Sequence, residues 1–310
     1  MTIDPAYRDR LDDTYAEGFR SIYAEVLVTA KDRTWLDHAA MAATGHASST
    51  IMCDCEAGIS GYVSAEDTPD GRPGVRLQFH VPRFVKNRER ALEKALLARL
   101  SQNILTCPTT RCFNAIEGDH FFKLGRKIAL FGDRHQFRER RFDHDGWVIP
   151  ILAGEFFLSR RFGYRDGVMG GNLWFFGDSE DAALDAAVAG AKAVNESADV
   201  ITTFPGGIAS SGSKAGSSYD FLIAATYAEY CPTLRDQLGE RSRLPEGVQS
   251  VMEIILNGKD LDALRTATAA AIEASIATDG LQMISAGNYG GRLGKSFIHL
   301  HGAVGWTSAK

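Results

Sequence analysis

Val251–Ser285 reads VMEIILNGKDLDALRTATAAAIEASIATDGLQMIS, and its order of elements decides the fold. Val251 to Leu256 is an apolar run broken only by Glu253, which predicts a strand. Leu261, Leu264, Ala271, Ile272 and Ile276 then share one side of a helix, and Gln282-Met-Ile-Ser285 is a short strand. Upstream, Asn172-Leu-Trp-Phe-Phe176 predicts a strand. Ser179 with its acidic first turn caps a helix carrying Leu184, Ala187, Val188, Ala191 and Val194. Asp199 to Phe204 is the next strand, and Leu244-Pro-Glu-Gly-Val248 is a turn before the opening stretch. The order is β-α-β-β-α-β, the ferredoxin-like arrangement.

The first half repeats it. Ala24 to Ala30 predicts a strand, Asp32 to Thr44 a helix, and Ser48 to Cys53 a second strand. After the turn Thr68–Gly74, Val75 to Val81 alternates as a half-buried strand does. A helix from Asn87 to Leu100 and a short segment Asn103–Pro108 complete the set. The expected fold is therefore α/β (α+β), with two ferredoxin-like lobes of mostly antiparallel sheet, residues 1–146 and 147–310. Residues 115–170, with the apolar runs Lys127–Phe131 and Trp147–Leu152, read as extra strands joining them.

Length and composition agree: 310 residues, 45% hydrophobic and 24% charged, suffice for two cores. A net charge of −5 gives no general pull toward nucleic acid. No apolar run approaches the ~20 residues of a membrane span, and the N-terminus lacks the apolar core of a secretory signal, so a cytoplasmic setting is expected. Five cysteines, Cys53, Cys55, Cys107, Cys112 and Cys231, are too few and odd in number for a disulfide framework. The basic stretch Arg134–Arg141 reads either as a solvated hairpin surface or as a site for an anionic ligand or partner.

Common chemistries fit poorly. Gly207-Ile-Ala-Ser-Ser-Gly212 starts with P-loop spacing, but Ser213 follows, Lys214 arrives one place late, and Ala215 stands where a magnesium-binding hydroxyl belongs. No G-x-G-x-x-G or G-x-S-x-G occurs. Cys53-Asp-Cys55 and His299-Leu-His301 each place two ligand types on one face of a strand, short of the three or four a metal site needs; no metal is expected.

Glu253 stands out physically. Apolar runs of its kind belong to strands covered on both faces, where a carboxyl is costly to ionise and its pKa rises. A neutral acid there can donate to an oxygen gaining negative charge. The alternative is an edge-strand Glu facing water. Two Gly-rich stretches, Phe204–Phe221 and Ser285–Gly294, let backbone approach a ligand closely, and Asn172 at the start of a strand offers both donor and acceptor. Together they suggest a large cleft.

These segments resemble the formylmethanofuran:tetrahydromethanopterin formyltransferases. The matching blocks run in family order: TIMCDCEAGISGYV, TPDGRPGV, GEF, GGN, FPGGIASSGSKAGSSYDFL, YCPT, LPEGV, MEIILNG and ISAGNYGGRLGKSFIHLH. The resemblance implies a two-lobed formyltransferase with no permanently bound cofactor. Its carrier substrates would be a tetrahydromethanopterin-type pterin and methanofuran or an analogue. It puts the family's catalytic glutamate on Glu253. Expected substrate-binding residues are Cys53, Asn172, Gly206, Gly207, Ser211, Ser213, Lys214, Ser217, Tyr219, Asn288 and Arg292. Arg292 replaces a Lys of other members, which keeps charge but not shape. Homo-oligomers are the family's habit. The mild acidity, 39 acidic against 34 basic residues, suggests the methylotrophic-bacterial version, similar to a subunit of a formyltransferase/hydrolase complex. In that setting Arg134–Arg141 would meet a polyglutamate carrier tail, a partner subunit or solvent. The rival class is a non-catalytic pterin-binding or scaffolding subunit.

Overall fold

The computed structural model describes residues 3–306 and divides into two compact units. One runs from Arg20 to Gly167. The other joins the residues up to Phe19 with those from Val168 onward.

In the Arg20–Gly167 unit the elements are β1 (Tyr15–Thr29, from Arg20 on), α1 (Arg33–Thr44), β2 (Glu56–Val63), β3 (Gly74–Pro82), α2 (Arg88–Arg99) and β4 (Arg111–Asn114). Strands run β2-β3-β1-β4, all antiparallel. Alternation on β1 turns Ala24, Val26 and Val28 toward Leu36, Ala40 and Leu96 of the helices, while Leu27 joins Phe113 and Phe157 on the other face. Helix α3 (Leu124–Ala129) and strands β5 (Phe137–Arg141), β6 (His144–Ile151) and β7 (Gly154–Ser159) follow. The β5-β6-β7 meander extends this sheet through a parallel bridge from β7 to β4. The sequence-based division at 146/147 falls inside β6, because β6 and β7 pair with this unit.

Three expectations shift here. Ser48–Cys53 forms turns, and the strand starts at Glu56. Ser49 Oγ accepts from Ile51, and Thr50 bonds Glu56 Oε1 through its N–H and its hydroxyl, so local polar bonds displace the ladder. Asn103–Pro108 continues α2 as a π-helical turn, Leu100–Ile104, then turns before β4. Lys127–Phe131 is mostly helical: short apolar runs do not separate strand from buried helix, and Ile128 and Ala129 enter the core. Within Arg134–Arg141, residues Phe137–Arg141 form one arm of a hairpin, with Arg138 on Asp145 and Arg141 between Glu139 and Glu155.

In the second unit, β8 (Arg165–Gly177, from Val168 on), α4 (Glu180–Asn195), β9 (Val200–Thr202), β10 (Ile208–Ala209), β11 (Lys214–Ala215), β12 (Ala224–Ala225), β13 (Ser250–Gly258), α5 (Leu261–Ser275) and β14 (Leu281–Ser285) are followed by β15 (Ser296–His299) and α6 (Leu300–Ala303). The order β9-β13-β8-β14 repeats that of β2-β3-β1-β4. β15 pairs with Tyr15–Gly18. Ser179 and Asp260 cap the two helices, each accepting from the N–H three residues on. Leu173, Phe175, Met252, Ile254 and Leu256 face the apolar stripes of both helices. That leaves Asn172, Trp174 and Glu253 on the opposite face.

Candidate active site

The register decides what Glu253 meets. Trp174 on β8 lies directly opposite it, Asn172 lies two residues along on the same face, and Ala209 of β10 pairs on its other side. Glu253 is thus in an interior strand, 7% exposed, beneath loop residues Tyr227, Tyr230, Leu244 and Val248. The buried alternative is the one found.

Its Oε1 accepts two hydrogen bonds, from Asn172 Nδ2 at 2.8 Å and Trp174 Nε1 at 2.9 Å. Burial pushes the carboxyl upward, and these two donors offset that only in part, so it sits above the usual range. Two donors on Oε1 favour that atom as the carbonyl oxygen of the neutral acid, leaving Oε2 to carry the proton. Asn172 Oδ1 is buried without a hydrogen-bond partner among the described residues.

Glu253 lines a pocket of about 90 Å³ with Trp174, Ser211, Tyr227, Tyr230 and Cys231. This is far below the ~300–1,000 Å³ of sites that swallow a drug-sized ligand. It suits a one-carbon unit and its neighbouring atoms. Trp174 meets Tyr227 and Tyr230 edge-on, at 5.1 and 4.9 Å between centroids, so the wall is aromatic. A larger groove along α5, about 730 Å³, touches neither Glu253 nor a Gly-rich loop.

The other expected residues scatter around this centre. Ser211 lines the pocket. Ser213 offers its carbonyl to the Tyr289 hydroxyl at 3.3 Å. Lys214 pairs with Ala225 in the β11–β12 ribbon. Ser217 Oγ accepts from the Tyr219 N–H, and Tyr219 is 62% exposed beside Phe221, so both lie outside the pocket lining. Gly206 and Gly207 have φ of 66° and 83°, and a Cβ on Gly207 would come within 2.5 Å of Thr202 Oγ1, so they shape the turn. Asn288 is committed to Thr14 Oγ1 and the Tyr15 carbonyl. Arg292 is exposed, its Nε bonded to the Tyr289 carbonyl. Cys53 belongs to the other unit, in a turn, its Sγ 3.8 Å from Ser48 Oγ. Cys231, part of the matching block YCPT but not among the expected site residues, is the thiol in the pocket lining.

The paired ligand types also separate. Cys53 lies in a turn and Cys55 in the core, where burial pushes its thiol up to about 12. His299 ends β15 in solvent, while His301 is buried in α6 with Nε2 2.9 Å from the Leu11 carbonyl. Among the described residues no group of three or more His, Cys, Asp or Glu could hold a metal.

A buried acid over a small aromatic pocket, carried by a ferredoxin-like lobe, is a site able to steady an oxygen that gains negative charge. The family model described as formylmethanofuran-tetrahydromethanopterin formyltransferase matches residues 8–151, and the one described as the proximal lobe of the same family matches residues 154–303. The chain belongs to this family. It is 41% identical over 293 residues to the formylmethanofuran–tetrahydromethanopterin formyltransferase of Methanosarcina acetivorans, covering 94% of this chain and 97% of the relative. The Methanopyrus kandleri enzyme of that name is 42% identical over 296 residues. The solved Methanosarcina barkeri enzyme superposes with a TM-score of 0.91 at 40% identity, over 96% of this chain and 99% of that one. The formyltransferase/hydrolase complex of Methylorubrum extorquens, solved with methylofuran, gives 0.89 at 36% over 99% of each chain.

Proposed function

We propose that the chain transfers a formyl group between N5 of a tetrahydromethanopterin-type pterin and the amine of methanofuran or an analogue, with Glu253 as the acid that steadies the reaction. The acceptor nitrogen attacks the formamide carbon, and a C–N bond forms while the carbonyl oxygen takes negative charge. Glu253 Oε2–H donates to that oxygen. Collapse breaks the bond to the donor nitrogen, and the proton lost by the acceptor passes to the leaving amine. The observation that carries this reading is Glu253 itself, buried, with both donors on Oε1 and its carboxyl in the pocket wall. One such donor is typically worth about 10²–10³ in rate.

The pocket takes the one-carbon end alone, so the carriers' bulk lies outside it. Ser211, Ser213, Lys214, Ser217, Tyr219 and Arg292 are our candidates to contact it. No cofactor is assigned. Free cysteines suit a cytoplasmic setting, and no helix among the described residues is long and apolar enough to cross a membrane. Likeness to the Methylorubrum complex supports hydrolase subunits as partners and a role in oxidising formaldehyde to formate. The test is formyl transfer between the purified carriers by the isolated chain. Transfer dependent on Glu253 supports the reading, and none by the folded chain, alone or with partners, overturns it in favour of a scaffolding subunit.

A further inference from the structure

Glu17 is 2% exposed and lies on the segment of β1 that pairs with β15. No Lys or Arg pairs with it among the described residues. Its oxygens are taken by main chain alone. Oε1 accepts from the N–H groups of Tyr289 and Gly291, both at 2.6 Å, and Oε2 from those of Leu293 and Gly294, both at 3.1 Å. Gly290 and Gly291, at φ of 64° and 73°, curl the chain so that several N–H groups converge on one anion. The loop then closes onto the strand: a Cβ on Gly294 would lie 2.1 Å from the Gly18 carbonyl oxygen. These four N–H groups are already spent on Glu17.

The clamped loop carries Tyr289. Its hydroxyl donates to the Ser213 carbonyl at 3.3 Å, and its ring lies 6.4 Å, centroid to centroid, from that of Tyr227, which lines the pocket beside Glu253. We propose that Glu17 is a positioning residue for formyl transfer: its carboxylate fixes the Tyr289–Gly294 loop, and through Tyr289 it holds the Tyr227 wall of the pocket. This rests on the pocket being the transfer site. Glu17 touches no reacting atom, because its acceptors are occupied.

Glu17→Gln tests it at constant volume. An amide keeps one acceptor pair but turns its NH2 toward the other two N–H donors, which breaks half the clamp. The expected result is amide exchange at residues 289–294 faster by on the order of 10², with strand Ser250–Gly258 unchanged. KM for the carriers should rise roughly tenfold in fully folded protein. Tyr289→Phe should give a similar rise, and the double variant should be no worse than the larger single effect. A merely structural role would lower the folded fraction and leave KM alone. Unchanged loop exchange, an unchanged KM, or two effects that multiply in the double variant would each overturn the proposal. If Glu17→Gln does not fold, Glu17→Asp, which keeps the charge but withdraws it by one methylene, is read by the same outcomes. Glu253→Gln measured alongside separates the two ideas: full activity there defeats the site assignment, while the exchange result still decides the clamp.

Discussion

Replacing Glu253 in two steps separates its charge state from its hydrogen bond. In Glu253→Gln the amide oxygen can still accept from Asn172 and Trp174, and the NH2 takes the place of Oε2–H. The donor survives, but it is a weaker acid, so turnover should fall by roughly tenfold, below the cost of losing a donor outright. Glu253→Ala removes the donor, and turnover should fall by about 10²–10³ while carrier binding persists. pH adds an independent sign. The folded carboxyl is raised by burial, so the neutral acid dominates below that raised value. Wild-type turnover should fall as pH climbs through it, and the stability the neutral form provides should fade as pH rises from the ordinary carboxyl range up to it. Glu253→Gln has nothing to titrate there and should lose that alkaline limb. The assay is single-turnover formyl transfer across pH, with the formylated carriers separated by chromatography. A Glu253→Ala enzyme that turns over normally, or a Gln enzyme that keeps the wild-type alkaline limb, would refute the reasoning.

Other outcomes follow from named contacts. Trp174→Phe removes a donor that holds the carboxyl down, so the alkaline limb should move to higher pH with a several-fold drop in rate, read from a pH–rate profile. The Asp70 side chain is buried, and its Oδ2 meets Arg72 at 2.7 Å, Arg111 at 2.8 Å and the Thr29 hydroxyl at 2.9 Å. Asp70→Asn should cost about 2–4 kcal/mol in denaturant unfolding, discounted because both arginines are partly exposed. Cys231 lines the pocket, so iodoacetamide should abolish transfer, the carriers should protect, and Cys231→Ser should resist; alkylation without loss of transfer would remove the thiol from the site.

What the sequence carried of this was local. Strand–helix–strand order was readable twice over because apolar periodicity and the Ser179 cap act within one turn or one strand. The second strand of the first unit was misplaced because Ser49, Thr50 and Glu56 make side-chain bonds that periodicity does not record. Glu253 was visible as an acid inside an apolar run. Its partner Trp174 was not, since an indole in such a run looks like core until the pairing is known. Tyr227, Tyr230 and Cys231 reach the pocket only by the fold of a segment built of short helical turns, which apolar periodicity does not register. Glu17 was hidden most fully: its four donors lie more than 270 residues further along the chain.

The chemistry is therefore written in strand pairing, with loops as accessories. Trp174 faces Glu253 because β8 and β13 are in one particular register, and Asn172 reaches the same oxygen because it is two residues along. A slip of one residue would send Glu253 toward the helices and put Ile254 in the pocket. Leu173, Phe175, Met252 and Ile254 prevent that slip by burying the opposite face. The apolar core thus sets the face on which the acid meets its two donors.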